Sequence, residues 1–292
     1  MFAEAYKIAS QFTRPVVISV RRFDGSLENS QAAFVILNKD GWIATAAHVF
    51  ELGAEHEANT KEIADYDGKV AAIEGDTSAT DKQKRKRKDR LSPNRKWIMN
   101  ISWWWGENSV SLQDFKVLPA ADLAIGRLEP FDASKVLRYP VLKNPKNLPG
   151  GTSLCKLGYP FSQVPITFDE TTSRFTLSLD GLSLPRFPIE GIYTRYLVVP
   201  NSDYRGHVIK FLETSSPGLR GQSGGPIFDS HGTVWAIQSH TVSLPLDFNT
   251  KALRNGREEE VPQFLNVGVG VHPELLTEFL RDNGVAYEES DY

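Results

Sequence analysis

The stretch from residue 221 to residue 226 reads Gly-Gln-Ser-Gly-Gly-Pro, and it constrains the local backbone more than any other part of the chain. Glycines on both sides of Ser223 permit backbone conformations that other residues resist, and they let another chain approach closely. The amides of Gly221 and Ser223 are spaced to point at one spot, where they would stabilise a developing oxyanion. Taken alone, the stretch is equally compatible with a plain glycine-rich loop, so the rest of the chain has to decide.

A serine hydroxyl becomes nucleophilic only when a base lies within hydrogen-bond reach, and histidine is the usual base. His48 stands out because it ends the apolar run that begins at Gly41, with the small residues Ala46 and Ala47 beside it. This setting predicts a ring that faces a cleft, although a core histidine at a strand end is the structural alternative. The chain has six histidines: His48, His56, His207, His231, His240 and His272.

Asp122 is the candidate for the group that orients the histidine. It leads directly into the apolar run from Leu123 to Leu128, which predicts a partly buried carboxylate at the start of a strand. A buried carboxylate is costly unless it is paired, and a histidine N–H is a natural partner. A turn aspartate that caps the strand is the alternative.

Three windows, Thr45–His48, Asp122–Ile125 and Gly221–Pro226, together resemble the signatures of the chymotrypsin/trypsin-like serine peptidases, in that family's order of His, Asp and Ser. A fourth window, Leu157–Pro160, resembles the start of the second barrel in bacterial members. The resemblance implies an all-β fold of two six-stranded antiparallel β-barrels with a C-terminal helix.

The resemblance also implies a role for each matching residue. Ser223 would be the nucleophile, His48 the general base and then general acid, and Asp122 the group that fixes the imidazole. The amides of Gly221 and Ser223 would form the oxyanion hole. The implied substrate-binding residues are Pro217, Ser239, His240, Thr241, Gly268 and Gly270.

Two departures from the family pattern refine the expected chemistry. Digestive members carry an aspartate before the nucleophile that pairs with a new N-terminus, whereas Gln222 cannot form that ion pair. Pro217 stands where trypsin-type members carry an aspartate for Arg or Lys, so we expect a small or medium apolar side chain at P1. An acidic P1 side chain is the alternative, because His240 in the pocket wall would favour one.

The pattern of strands and turns predicts the domain organisation. Residues 1–139 would form the first barrel, which carries His48 and Asp122, with a charged insertion at about 51–105. Residues 140–292 would form the second barrel, which carries Ser223, with a C-terminal helix at 273–282. The predicted strands of the first barrel are Pro15–Arg21, Ala32–Asn38, Trp42–Ala46 and Leu123–Leu128.

The insertion contains a dense basic run at residues 82–90. Like charges repel and resist burial, so a flexible exposed loop is expected. A regulatory protein partner, a nucleic acid or a control cleavage site remain alternatives for this run. The formal charge of −3 on the whole chain disfavours nucleic acid.

The single cysteine, Cys155, excludes an intrachain disulfide and favours a reducing compartment. The N-terminus lacks the pattern of a signal peptide, and no apolar run reaches the length of about 18 residues that spans a membrane. We therefore expect a cytoplasmic protein that does not associate with a membrane, and the resemblance of Leu157–Pro160 to bacterial members implies a bacterial one. Because the chain has no His-Glu-x-x-His motif and no cysteine pair, no metal or other cofactor is expected.

These observations predict a serine endopeptidase that acts on a protein or peptide through a Ser-His-Asp triad and an acyl-enzyme, in a regulated intracellular pathway such as stress response or phage defence. The alternative is a catalytically silent trypsin-like scaffold that serves as a binding module.

Overall fold

The computed structural model describes residues 1–161, 163–178, 184–254 and 256–292. Strands dominate, and four α-helices accompany them. The helices are Ala3–Phe12 (α1), Glu51–Gly75 (α2), Asp81–Lys88 (α3) and Pro273–Asp282 (α4). The strands are Thr13–Arg22 (β1), Leu27–Ile36 (β2), Trp42–Ala46 (β3), Ile98–Trp104 (β4), Ser111–Leu118 (β5), Leu123–Glu129 (β6), Val141–Leu142 (β7), Ser153–Gly158 (β8), Ile166–Asp169 (β9), Arg174–Leu177 (β10), Phe187–Tyr204 (β11), His207–Thr214 (β12), Pro226–Phe228 (β13), Val234–Arg254 (β14), Arg257–Val271 (β15) and Glu288–Glu289 (β16).

The first sheet is a six-stranded antiparallel half-barrel with strand order β4-β1-β2-β3-β6-β5. All four strands that the sequence pattern predicts lie in it, and β3 has the predicted bounds. The middle strands are buried over most of their length, except for the first half of β2, and apolar side chains such as Phe34, Ile43 and Ile125 face the core.

The second sheet closes into a ring of six strands in the order β13-β8-β11-β12-β15-β14, because β14 pairs back onto β13. The short strands β7 and β16 extend it by parallel pairing, and β9 and β10 form a separate hairpin. Its interior holds a small cluster around Leu154, Leu212 and Ile227. The predicted all-β double barrel is therefore confirmed.

The prediction of a flexible loop over the basic run 82–90 is wrong, because residues 81–88 form the exposed helix α3. Thr80 and Gln83 form a capping box at its start, which satisfies amides that a helix end leaves free. Arg87 and Lys88 then pair with acidic residues at the end of α2. These local partners offset the repulsion between like charges, which composition alone does not reveal.

The tryptophan run Trp103–Trp105, at the end of the insertion, alternates between two sides of the chain, as strand geometry requires. The rings of Trp103 and Trp105 both lie against Phe50, with centroids 6.4 and 6.0 Å away. Trp104 points elsewhere and donates from Nε1 to Asn108. The insertion thereby meets the residues that directly follow His48.

The two ends of the chain are helical. The C-terminal helix α4 has the predicted bounds, with Pro273 in its first turn and His272 as its N-cap. The N-terminal helix α1 was not predicted, and it places Phe2 edge-on to Phe228 of the second barrel. Among the helices of the described ranges, none has both the length and the apolar character that crossing a bilayer requires.

Candidate active site

His48 and Asp122 come together because they follow the ends of paired strands. Ala46 at the end of β3 pairs with Leu123 at the start of β6, and a short 3-10 helix at Ala47–Phe50 then carries His48. The carboxylate of Asp122 accepts from the backbone amide of His48 at 2.9 Å and from its Nδ1 at 2.9 Å. Asp122 holds a left-handed conformation, φ +49°, which aspartate tolerates better than most residues.

This pairing sets the charge of both groups. Burial acts to raise the pKa of Asp122, but the hydrogen bonds from His48 and Ser239 outweigh it, and the net pKa lies below its usual value. The hydrogen bond with Asp122 raises the pKa of His48 above 6.5. An ionised Asp122 holds the proton on Nδ1, which leaves Nε2 of the neutral ring as the basic nitrogen.

Ser239 extends the network to a second histidine. Its hydroxyl contacts Oδ2 of Asp122 and lies 2.8 Å from Nδ1 of His240. A carboxylate only accepts, so the serine proton is assigned to Asp122 and His240 donates from Nδ1 to Ser239. Burial lowers the pKa of His240, which favours its neutral form.

Ser223 lies in the turn before β13 and links the two barrels, since its carbonyl accepts from the amide of Ala33 at 2.7 Å. Its hydroxyl donates to the carbonyl of Ser239 at 3.3 Å. Within the described residues no hydrogen bond joins it to Nε2 of His48, although both side chains line the same cleft. Catalytic hydrogen bonds are often long or misaligned before a substrate binds, so this geometry is compatible with a resting nucleophile.

Backbone and side-chain hydrogen bonds hold the turn around Ser223 in place. Gly221 has φ +94°, and its carbonyl accepts from Tyr159 at 2.7 Å. The buried Gln222 side chain accepts from Leu219 N and donates to Phe187 O, at 3.0 and 3.1 Å. In the part of the chain that the structure describes, the amides of Gly221 and Ser223 have no acceptor of their own. They are therefore free to bind an oxyanion.

A cavity of about 560 Å³ adjoins these groups. Three of the expected substrate-binding residues line it, Ser239, His240 and Thr241. Pro217 is not among the lining residues, but its neighbour Gly218 is. Gly268 and Gly270 lie behind the lining, paired with Thr241 and Gln238. The full lining is His48, Glu51, Pro119, Asp122, Gly218, Leu219, Arg220, Ser223, Gln238, Ser239, His240 and Thr241.

Sequence reasoning missed three residues of this region. Gln222 was expected only to lack a charge, yet both ends of its amide hold the turn. Gln238 enters the cavity wall, and Lys156 lies buried behind it. A lysine inside the apolar window Leu154–Leu157 is a visible signal, but only the tertiary structure shows what it approaches.

The double barrel and the convergence of Ser, His and Asp on one cleft define a protein of the trypsin-like serine hydrolase class. The model of the trypsin-like peptidase domain family matches residues 32–237, and the chain belongs to that family. No curated protein is significantly similar to it in sequence.

Solved structures with a similar fold include HtrA-type proteases. One is a serine-to-alanine variant of AlgW with a decapeptide, with a TM-score of 0.51 and 12% identity over 97% of this chain and 68% of that one. The same variant with a tripeptide has a TM-score of 0.49 and 13% identity over 97% of this chain. The active form of the Rv3671c protease from M. tuberculosis has a TM-score of 0.47 and 12% identity over 96% of this chain and 85% of that one. The chain spans 63% of the length of the tripeptide-bound AlgW chain. At these identities the likeness concerns the fold alone.

Proposed function

We propose that this protein is a serine endopeptidase. The observation that carries the proposal is one cleft in which the Asp122–His48 pair, the Ser223 hydroxyl and the unpaired amides of Gly221 and Ser223 meet. Each part of acyl transfer needs one of these groups: a base, a nucleophile and donors for the oxyanion.

In the proposed reaction, Ser223 Oγ attacks the carbonyl carbon of a peptide bond while its proton passes to Nε2 of His48. The carbonyl oxygen gains negative charge and accepts from the amides of Gly221 and Ser223. The C–N bond then breaks, and His48 gives the proton to the leaving amine. Water, deprotonated by His48, hydrolyses the acyl-enzyme and restores the serine.

The substrate backbone would extend the second sheet by strand addition along Ser239–Thr241 of β14. The carbonyl of Ser239, which accepts from the Ser223 hydroxyl in the free protein, becomes available once that hydroxyl attacks. A protein or peptide in extended conformation is therefore the proposed substrate. The peptides in the AlgW structures give a precedent for such ligands in this fold.

A serine-reactive fluorophosphonate probe tests the proposal without knowledge of the substrate. We expect the wild-type protein to be labelled and Ser223→Ala not to be. Ser243→Ala is the matched control, because this serine lies further along β14 and its hydroxyl bonds only to Asn266. If the folded wild type stays unlabelled, or if Ser223→Ala is labelled equally, the endopeptidase assignment fails.

A catalytically silent scaffold is the second candidate, and the hydrogen bond from Ser223 to Ser239 instead of His48 favours it. The same probe separates the two functions. We propose that the active enzyme acts in the cytoplasm, in a regulated pathway of stress response or phage defence. The lone buried Cys155, which has no disulfide partner, supports a reducing setting.

A further inference from the structure

A lysine is buried inside the second barrel without a carboxylate partner. Lys156 lies on β8 between Ile189 of β11 and Ile227 of β13, and it is fully buried. Its Nζ donates to the hydroxyl of Thr214 at 2.8 Å and to the carbonyl of Ser216. No carboxylate acts on it in the described part of the chain, and burial lowers its pKa to about 7. A buried cation that lacks a counter-charge is costly, so its presence requires a reason.

The ammonium group lies directly behind the wall of the cavity beside Ser223. A Cβ added to Gly268 would be 2.7 Å from Nζ of Lys156 and 2.9 Å from the amide of Gly218. Gly268 pairs with Thr241, and both Thr241 and Gly218 line the cavity. The ammonium group therefore lies beside Gly268 of β15, which pairs with the residue Thr241 that lines the space a P1 side chain would enter.

Other polar atoms at the same place also lack partners. Gln238 Oε1 and Ser216 Oγ are buried with no hydrogen bond in the described structure. The Gln238 nitrogen is committed to the carbonyls of His240 and Val269, both at 3.1 Å. Gln238 Oε1 only accepts, so a P1 side chain that carries a donor would pair with it. The ammonium group of Lys156 only donates, so a P1 side chain that carries an acceptor would pair with it.

We infer that Lys156 makes this cavity selective for an acidic P1 side chain, glutamate or aspartate, whose carboxylate meets the ammonium group beside Gly268. The inference rests on the proposed peptidase function. Gln238 Oε1 is an acceptor and would by itself suit a carboxamide rather than a carboxylate, but a charge-assisted hydrogen bond to a buried cation outweighs a neutral one. The apolar P1 residue expected from Pro217 is thereby replaced, and the determinant is Lys156 on the barrel wall.

The test compares kcat/KM for fluorogenic tetrapeptides that differ only at P1, as Glu, Asp, Gln, Leu or Lys. We expect acidic substrates to exceed Gln by about 10- to 100-fold, the range of one charged hydrogen bond. Lys156→Met should remove that preference, so that the ratio of kcat/KM for the Glu substrate to that for the Gln substrate falls to about one. Lys143→Met is the matched control: this lysine is also buried, but it contacts Tyr292 and Trp235, and its loss should leave the preference intact.

Fluorophosphonate labelling of Ser223 in each variant separates the outcomes. A labelled enzyme that prefers Gln or Leu, or an acidic preference that survives Lys156→Met, overturns the lysine assignment and leaves the peptidase function standing. Lys156→Gln is the second variant if Lys156→Met lowers the melting temperature markedly.

If the wild type is neither labelled nor active, the peptidase function fails separately, and binding still decides the question of selectivity. Calorimetry would then measure acetylated tetrapeptide amides ending in Glu, Gln or Leu against Ser223→Ala. Equal affinities for the three peptides would contradict the acidic pocket, whereas tighter binding of the Glu peptide would support it.

Discussion

Asp122→Asn is the sharpest perturbation of the proposed site, because it removes one charge and keeps the shape. The Asp122 carboxylate accepts three hydrogen bonds, from His48 N, His48 Nδ1 and the Ser239 hydroxyl. An asparagine retains one acceptor oxygen for the backbone amide. Its NH₂ group then faces two donors, Nδ1 of His48 and the Ser239 hydroxyl. The imidazole avoids the donor–donor contact by moving its proton from Nδ1 to Nε2. In that tautomer His48 cannot take the proton of Ser223.

We therefore expect the second-order rate of fluorophosphonate labelling to fall by about 10⁴-fold, equivalent to about 5 kcal/mol of transition-state stabilisation. The pH profile gives a second measure. Labelling needs neutral His48, so the wild-type rate rises as pH increases through a pKa that Asp122 holds above 6.5. Loss of the carboxylate should move this limb to lower pH.

Asp229→Asn is the control for this experiment. Asp229 is also buried, and it accepts from the indole of Trp235 and from the amides of His231 and Thr233. Its substitution perturbs a comparable hydrogen-bond set away from the cleft, so the labelling rate should be unchanged. A labelling rate for Asp122→Asn within tenfold of the wild type would refute the tautomer argument.

Three further predictions concern the supports of the site and the insertion. Gly224→Ala places a Cβ 2.1 Å from the carbonyl oxygen of Ala33, at a residue with φ +80°. In urea denaturation its free energy of unfolding should fall by about 1–3 kcal/mol more than that of Gly25→Ala, where φ is similar but the space is open. Equal falls in the two variants would contradict the clash. Gln222→Met leaves the amide of Leu219 and the carbonyl of Phe187 without their side-chain partner. It should lower the labelling rate and should lower the unfolding free energy by about 1–3 kcal/mol. An unchanged labelling rate would show that the turn keeps its conformation without the Gln222 side chain. Thr80→Ala removes the cap of α3 and should speed amide exchange there by an amount equivalent to about 1 kcal/mol, with labelling unchanged; protection equal to the wild type would contradict the role of the cap.

Local patterns predicted the strands around the site well. β3 and α4 have the predicted bounds because a short apolar run, or a proline followed by an amphipathic turn, decides conformation within a few residues. The basic run at 82–90 misled the same reasoning. Its helical state depends on a cap and on acidic partners at the end of α2, and these lie outside the run itself.

The candidate triad was accessible for a related reason. Its three windows are short, and their order along the chain is the order of the family, so the sequence alone predicts His48, Asp122 and Ser223 as the triad. What the windows do not contain is the direction of each proton. That direction follows from distances between Asp122, Ser239 and His240, which lie on different strands.

The sequence by itself thus determined the class of fold and which residues meet at the cleft, because both are encoded in local stretches. Only the tertiary structure decided that the Gln222 amide bonds to Leu219 and Phe187 and that Lys156 lies beside Gly268. Lys156 is about sixty residues from Ser216 along the chain, and the ring closure of the second barrel brings the two into contact. The role of a buried charge depends on the groups that neighbouring strands bring next to it, and no single window of sequence contains those groups.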